Sequence, residues 1–121
     1  MEPISGENCR TKCIIYAARC KKCDLLYIGH TKNELRERFG KHRYDIKKRP
    51  SNTELSEHLG KDHKEQDMEV NILQSGIWNK QERELLENKR ICLLQTLAPT
   101  GINKSVKQYA KDMYTCYKNT Y

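Results

Sequence analysis

Apolar and polar positions alternate along this chain in two rhythms, one of strands and one of helices. Cys13 to Ala18 is a short apolar run and Leu25 to Ile28 is another. Runs of that length, rich in β-compatible residues and joined by a polar Lys21-Lys22…Asp24 stretch, predict an antiparallel hairpin. Thr31-x-x-Glu34 has the form of a capping box, and Leu35, Phe39, His42 and Ile46 then recur at helical spacing. That helix is predicted to run to about Lys48 and stop before Pro50, because a residue preceding proline is pushed out of the helical region. Ser51-x-x-Glu54 predicts the start of a short helix through His58 and Leu59 to Gly60. Met68, Val70 and Ile72 alternate with polar neighbours, the pattern of a third strand. Asn79-x-x-Glu82 caps a last long helix to about Thr96, with Leu85, Leu86, Ile91, Leu93 and Leu94 as its apolar surface. The predicted fold is α/β (α+β): a small three-stranded antiparallel sheet flanked by helices. Residues 1–12 are an irregular lead-in, 13–104 the folded body, and 105–121, with Tyr109, Tyr114, Tyr117 and Tyr121, a helical extension.

At 121 residues such a chain buries a modest core, and a metal staple would help it. The net charge of +7 and a pI near 9.1 favour a polyanionic partner, nucleic acid or an anionic surface. No apolar run approaches the roughly 20 residues of a membrane span, so no membrane partner is expected. Met-Glu-Pro-Ile-Ser-Gly-Glu at the N-terminus lacks the basic start and apolar core of a secretory signal. A disulfide framework is therefore not expected, and paired cysteines point to metal.

The chemistry gathers around the hairpin. Ile14-Ile15-Tyr16 and Tyr27-Ile28-Gly29 place two tyrosines on neighbouring strands, where their hydroxyls can share one cleft. Arg38 and His42 are four apart on the first helix and share a face. A guanidinium there suits a phosphate oxygen, being permanently charged and presenting a planar fork of donors. Glu87 lies four residues before Ile91, beside the buried stripe of the last helix, and one carboxylate with water ligands is an ordinary holder of magnesium. Lys32, Arg36 and Lys41, continued by Arg43, Lys47, Lys48 and Arg49, form a basic track for phosphates. Cys20-x2-Cys23 and His58-x4-His63 form a tetrahedral set of thiolates and imidazoles for one structural zinc, clipping the hairpin to the second short helix. Cys9 and Cys13 are rival ligands or small buried side chains, whereas Cys92 and Cys116 read as structural.

Taken in order, Ile-Ile-Tyr, Tyr-Ile-Gly, Arg38, His42, Glu87 and Asn103 resemble the GIY-YIG nuclease superfamily, over about Cys9 to Asn103. Cys9-Arg-Thr-Lys-Cys-Ile-Ile-Tyr, Cys20-x-x-Cys23, Tyr-Ile-Gly-His-Thr, Leu35-x-x-Arg38-x-x-x-His42, His58, His63 and Leu97-Ala-Pro-Thr-Gly-Ile-Asn103 resemble the endonuclease domain of Penelope-like retroelements. The departure is at position 14, isoleucine in place of the first triplet's glycine, which places the local backbone in question but removes no chemical group.

The resemblance implies a DNA endonuclease with one catalytic Mg2+ or Mn2+ held by Glu87, a phosphate clamped by Arg38, and catalytic Tyr16, Tyr27 and His42. It implies a tyrosinate-assisted attack of water that leaves 3′-hydroxyl and 5′-phosphate ends, with Tyr16 as base and Tyr27 positioning water or phosphate. Gly29 and Asn103 join Lys32, Arg36 and Lys41 as expected substrate-binding residues. The expected role is nicking DNA to prime reverse transcription, beside a reverse-transcriptase domain in a larger parent protein. Nuclear action follows from the DNA substrate, and a double-strand break would need a homodimer or two encounters. Two other readings stay open: a homing or repair nuclease of the same superfamily, and a non-catalytic zinc-stabilised nucleic-acid-binding module.

Overall fold

The computed structural model describes residues 9–61 and 67–104. The expected lead-in at 1–8, His63, and the extension from 105 with Cys116 lie outside them. Strands β1 (Ile14–Cys20) and β2 (Leu26–Thr31) form the hairpin, followed by α1 (Leu35–Lys48), α2 (Glu54–Lys61), β3 (Met68–Gln74) and α3 (Lys80–Leu94). The sheet order is β2-β1-β3, antiparallel throughout. This is the expected three-stranded sheet flanked by helices.

β1 is central, which explains its continuous apolar character: both of its faces are covered. Ile14, Tyr16, Ala18 and Cys20 face Leu35 and Phe39 of α1 and Leu55 and Leu59 of α2. Ile15 and Ala17 face the other way, with Ile28, toward Ile91 and Cys92 of α3. Ile14 is fully buried and pairs with Thr31 in ordinary strand conformation. Positive φ falls on Cys13 at 53°, one residue earlier, so position 14 has no need of glycine. The hairpin tip turns through Asp24 at φ 64°, a left-handed conformation that aspartate tolerates.

Two helix starts differ from the expected capping boxes. α1 begins at Leu35 with Glu34 as its N-cap, not Thr31. Its first amides are satisfied from a distance, Leu35 N–H by Thr11 O at 3.1 Å and Arg36 N–H by Cys9 O at 2.8 Å. α2 is capped by Thr53, not Ser51: Thr53 Oγ accepts from Ser56 N–H at 3.0 Å, and Ser56 Oγ accepts from Thr53 N–H at 3.1 Å. Asn79 caps α3 as expected, its side chain accepting from Glu82 N–H at 2.9 Å. Leu85, Leu93 and Leu94 do not supply core surface; all three are exposed. Buried positions of α3 go instead to Arg83 and Asn88, and Arg83 donates to the carbonyls of Ile77 and Trp78 at 3.0 and 3.1 Å.

The segment after α3 closes the outer edge of β2. Ile102 N–H donates to Leu26 O at 2.8 Å. The Asn103 side chain then brackets Ile28, accepting from its N–H at 2.8 Å and donating to its carbonyl at 3.0 Å. An uncovered edge strand would offer those groups to another chain. All five described cysteines are free thiols. No helix among the described residues is long and apolar enough to cross a membrane.

Candidate active site

The hairpin register places Tyr16 opposite Gly29, and the two-residue alternation of β2 puts Tyr27 on the same face. The two rings lie 6.4 Å apart, centroid to centroid, facing α1. Gly29 is required by this arrangement, because a Cβ there would run into the Tyr16 hydroxyl and stand 2.5 Å from Cζ. The glycine is buried beneath the Tyr16 ring, so its part in the site is to admit that ring.

From α1, Arg38 Nε donates to the Tyr16 hydroxyl oxygen at 3.1 Å, and His42 Nε2 lies 3.0 Å from the same oxygen. An arginine N–H can only donate, so the Tyr16 oxygen accepts from Arg38. Burial, reinforced by the charge of Arg38, pushes His42 down to about 3, so the ring is neutral at physiological pH. His42 Nδ1 has no hydrogen-bond partner among the described residues. Phe39 packs edge-on against Tyr16 at 5.1 Å and fixes the ring from below.

Burial raises the pKa of Tyr16, opposed by the charge and hydrogen bond of Arg38. Burial likewise pushes Tyr27 up, with Tyr16 and Glu87 adding to the effect. Both phenols are therefore protonated in the resting domain at neutral pH. Burial disfavours the charge of Arg38 as well, but its contacts with Tyr16 and Tyr27 hold it above its usual value. The guanidinium is thus a fixed cation facing both hydroxyls.

Beside this cluster opens a cleft of about 490 Å3 lined by Tyr27, Asn52, Thr53, Glu54, Glu87 and Lys104 among others. Tyr27 and Glu87 stand on its wall, whereas Tyr16 is fully buried behind it. Glu87 reaches the cleft from α3, and its Oε2 lies 3.6 Å from Nε2 of His30 on β2. Glu87 is a partly buried carboxylate on the cleft wall, an oxygen donor of the kind that suits a hard divalent cation.

Asn103 lines the same cleft, and besides its two bonds to Ile28 its Oδ1 accepts from Thr96 Oγ at 2.7 Å. It brackets β2. Lys32, Arg36 and Lys41 are exposed on or beside α1, Arg36 tied to Glu34 at 2.6 Å. His30, Asn52 and Lys104 were not singled out by sequence reasoning. For His30 a signal existed, its place directly after Tyr-Ile-Gly, but strand alternation points it away from Tyr27.

At the hairpin tip, ligand atoms of Cys20, Cys23 and His58 lie within 4.8 Å of one another, with Cys23 Sγ 3.1 Å from His58 Nε2. Two thiols and an imidazole at such spacing fit a tetrahedral metal ion. Among the described residues Cys9 and Cys13 do not join this group. Cys13 stands at the far end of β1, its thiol 3.7 Å from the Lys32 carbonyl, and a seven-residue strand of roughly 20 Å separates the two ends.

Comparison with known proteins adds three findings. The family model of the GIY-YIG catalytic domain matches residues 12–96. The catalytic domain of homing endonuclease I-TevI superposes with a TM-score of 0.65 at 23% identity, covering 78% of this chain and 99% of that one. A mutant catalytic domain of intron endonuclease I-TevI gives 0.67 at 22%, covering 81% and 98%. A comparison with curated proteins gives no significant match. With the family model spanning both tyrosine triplets, the Arg38–His42 helix and Glu87, the chain belongs to the GIY-YIG nuclease family.

Proposed function

We propose that this domain is a divalent-metal-dependent DNA endonuclease that nicks one strand, and that the nick primes reverse transcription for a Penelope-like retroelement. The observation that carries the nuclease reading is the Tyr16 hydroxyl held between Arg38 and His42, beside a cleft walled by Tyr27 and Glu87. A non-catalytic DNA-binding module has no use for Glu87 together with both tyrosines. The basic residues of α1 supply a grip on phosphates that is salt-sensitive and largely indifferent to sequence.

Arg38 uses Nε–H on Tyr16, and its guanidinium carries further N–H donors that can take a scissile phosphate. Tyr16 is the base: its phenol proton is lost to solvent in a pre-equilibrium, and the tyrosinate, stabilised by Arg38, takes a proton from the attacking water. The water oxygen bonds to phosphorus as the P–O3′ bond breaks, leaving 3′-hydroxyl and 5′-phosphate ends. Tyr27 orients the water or phosphate from the cleft wall. A magnesium or manganese ion, held by Glu87, would supply the Lewis acidity that such a reaction needs. Gly29 and Asn103 keep Tyr16 and β2 in place. Gly29→Ala is expected to slow cleavage by about 10²-fold by displacing the Tyr16 ring, with circular dichroism unchanged. Cleavage within threefold of wild type would remove that role.

Zinc on Cys20, Cys23, His58 and His63 would be structural, since four protein ligands leave no open coordination position. The protein should contain one zinc per chain, and Cys23→Ser should lose it and melt on the order of 10 °C lower. An unchanged melting temperature without zinc would exclude the staple. The same set beside the hairpin favours the retroelement reading over a homing or repair role. Nuclear action, a reverse-transcriptase domain in the parent protein and dimerisation for double-strand breaks belong to this proposal.

The test is nicking of supercoiled plasmid in Mg2+ or Mn2+, with EDTA as control, followed by polymerase extension from the nick. Metal-dependent nicks that extend directly support the reading. A folded, zinc-loaded protein that binds DNA and never nicks it would move the assignment to a binding module.

A further inference from the structure

We infer that His30 is a second protein ligand for the cation at Glu87, so that the catalytic metal is held by an imidazole and a carboxylate. This rests on the reading of Glu87 as the metal-holding residue. The two side chains come from different elements, β2 and α3, and both are about one-fifth exposed, with Glu87 also lining the cleft. Their nearest atoms, His30 Nε2 and Glu87 Oε2, are 3.6 Å apart. Two nitrogen and oxygen ligands on one ion at about 2.1 Å each stand roughly 3.0 Å apart at an octahedral angle and about 3.4 Å at a tetrahedral one. The observed 3.6 Å is about 0.2 Å longer than the tetrahedral value and about 0.6 Å longer than the octahedral one.

The placement follows from topology. His30 points to the α3 face of the sheet while Tyr27 and Gly29 point to the α1 face. β2 is the edge strand, and α3 packs along it, so Glu87 stands where it can face both the cleft and His30. A lone carboxylate surrounded by water prefers magnesium, whereas an added imidazole shifts affinity toward later, softer divalent ions. His30 thus tunes which metal the site takes: the wild type should favour Mn2+ over Mg2+ more strongly than a site built on Glu87 alone.

The test is titration of zinc-loaded protein with Mn2+, read by electron paramagnetic resonance, for wild type, His30→Ala, His30→Gln and Glu87→Ala. Zinc loading keeps the Cys20–Cys23–His58 group occupied. Wild-type Mn2+ should show the nitrogen hyperfine modulation of a bound imidazole, and both His30 variants should lose it. Their Mn2+ affinity should fall by about tenfold, with Mg2+ affinity changed by less than about threefold. A histidine that only orients Glu87 through an ion pair could lower affinity but would give no imidazole modulation, and its absence from the wild type would overturn the proposal. Mn2+ binding by Glu87→Ala equal to wild type would instead overturn the Glu87 assignment itself, and with it this inference. Circular dichroism of each variant separates loss of a ligand from loss of fold.

Discussion

Glu87→Ala is expected to abolish nicking, lowering the rate by about 10³-fold or more while leaving the fold and DNA binding nearly intact. A metal acting as Lewis acid contributes several kcal/mol to a phosphoryl transition state, and each 1.36 kcal/mol is about tenfold in rate. The side chain stands at the cleft wall, not in the core, and Ile91 and Cys92 carry the packing of α3. Removing it therefore costs little apolar burial. Loss of one negative charge beside the cleft should slightly tighten DNA binding, because phosphate contacts dominate affinity. The measurements are plasmid nicking in Mg2+ and Mn2+, fluorescence anisotropy with a DNA duplex, and circular dichroism. Cutting at a comparable rate by a folded Glu87→Ala protein would sink the assignment of the metal to this residue.

Tyr16→Phe is expected to lower cleavage by roughly 10²- to 10⁴-fold, the range for loss of a positioned acid–base group. The substitution removes one oxygen from a site where Arg38 donates to it and His42 Nε2 is hydrogen-bonded to it, at 3.1 and 3.0 Å. Leaving buried polar groups without that oxygen costs about 1–3 kcal/mol of stability, so rates must be compared well below the melting transition. Tyr27→Phe should have the smaller effect, since Tyr27 orients and does not take the proton. A larger loss from Tyr27→Phe would transfer the base role to Tyr27, which already lines the cleft. The pH profile gives an independent check. Burial raises Tyr16, so below its pKa the tyrosinate fraction, and with it the rate, grows about tenfold per pH unit. His42 is pushed down to about 3 and adds no inflection between pH 5 and 8. Nicking in Mg2+ should therefore climb steadily from pH 6 to 9, and a plateau beginning near pH 6.5 would count against a tyrosine base.

Which parts of this protein were legible before folding, and which were not, follows from the range of the interactions involved. Local rhythm determined the elements: the apolar run Ile14–Ala18, the alternation of Met68, Val70 and Ile72, and the Asn79 cap all depend on neighbours a few residues away. The spacing of the tyrosine triplets, Arg38, His42 and Glu87 pointed to one site for the same reason, since each sits at a fixed phase of its own strand or helix. Tertiary structure alone decided what came from afar. Thr31 failed as a cap because α1 takes its first hydrogen bonds from Cys9 and Thr11. Leu85, Leu93 and Leu94 stayed outside because α3 turns Arg83 and Asn88 inward along with Ile91. Asn103 lines the cleft and also brackets Ile28, 75 residues earlier in the chain, a contact no local pattern shows. His30 lies beside Glu87 because β2 is an edge strand with α3 packed along it. Periodicity records which face a side chain takes within its own element; only packing decides which distant element it then meets.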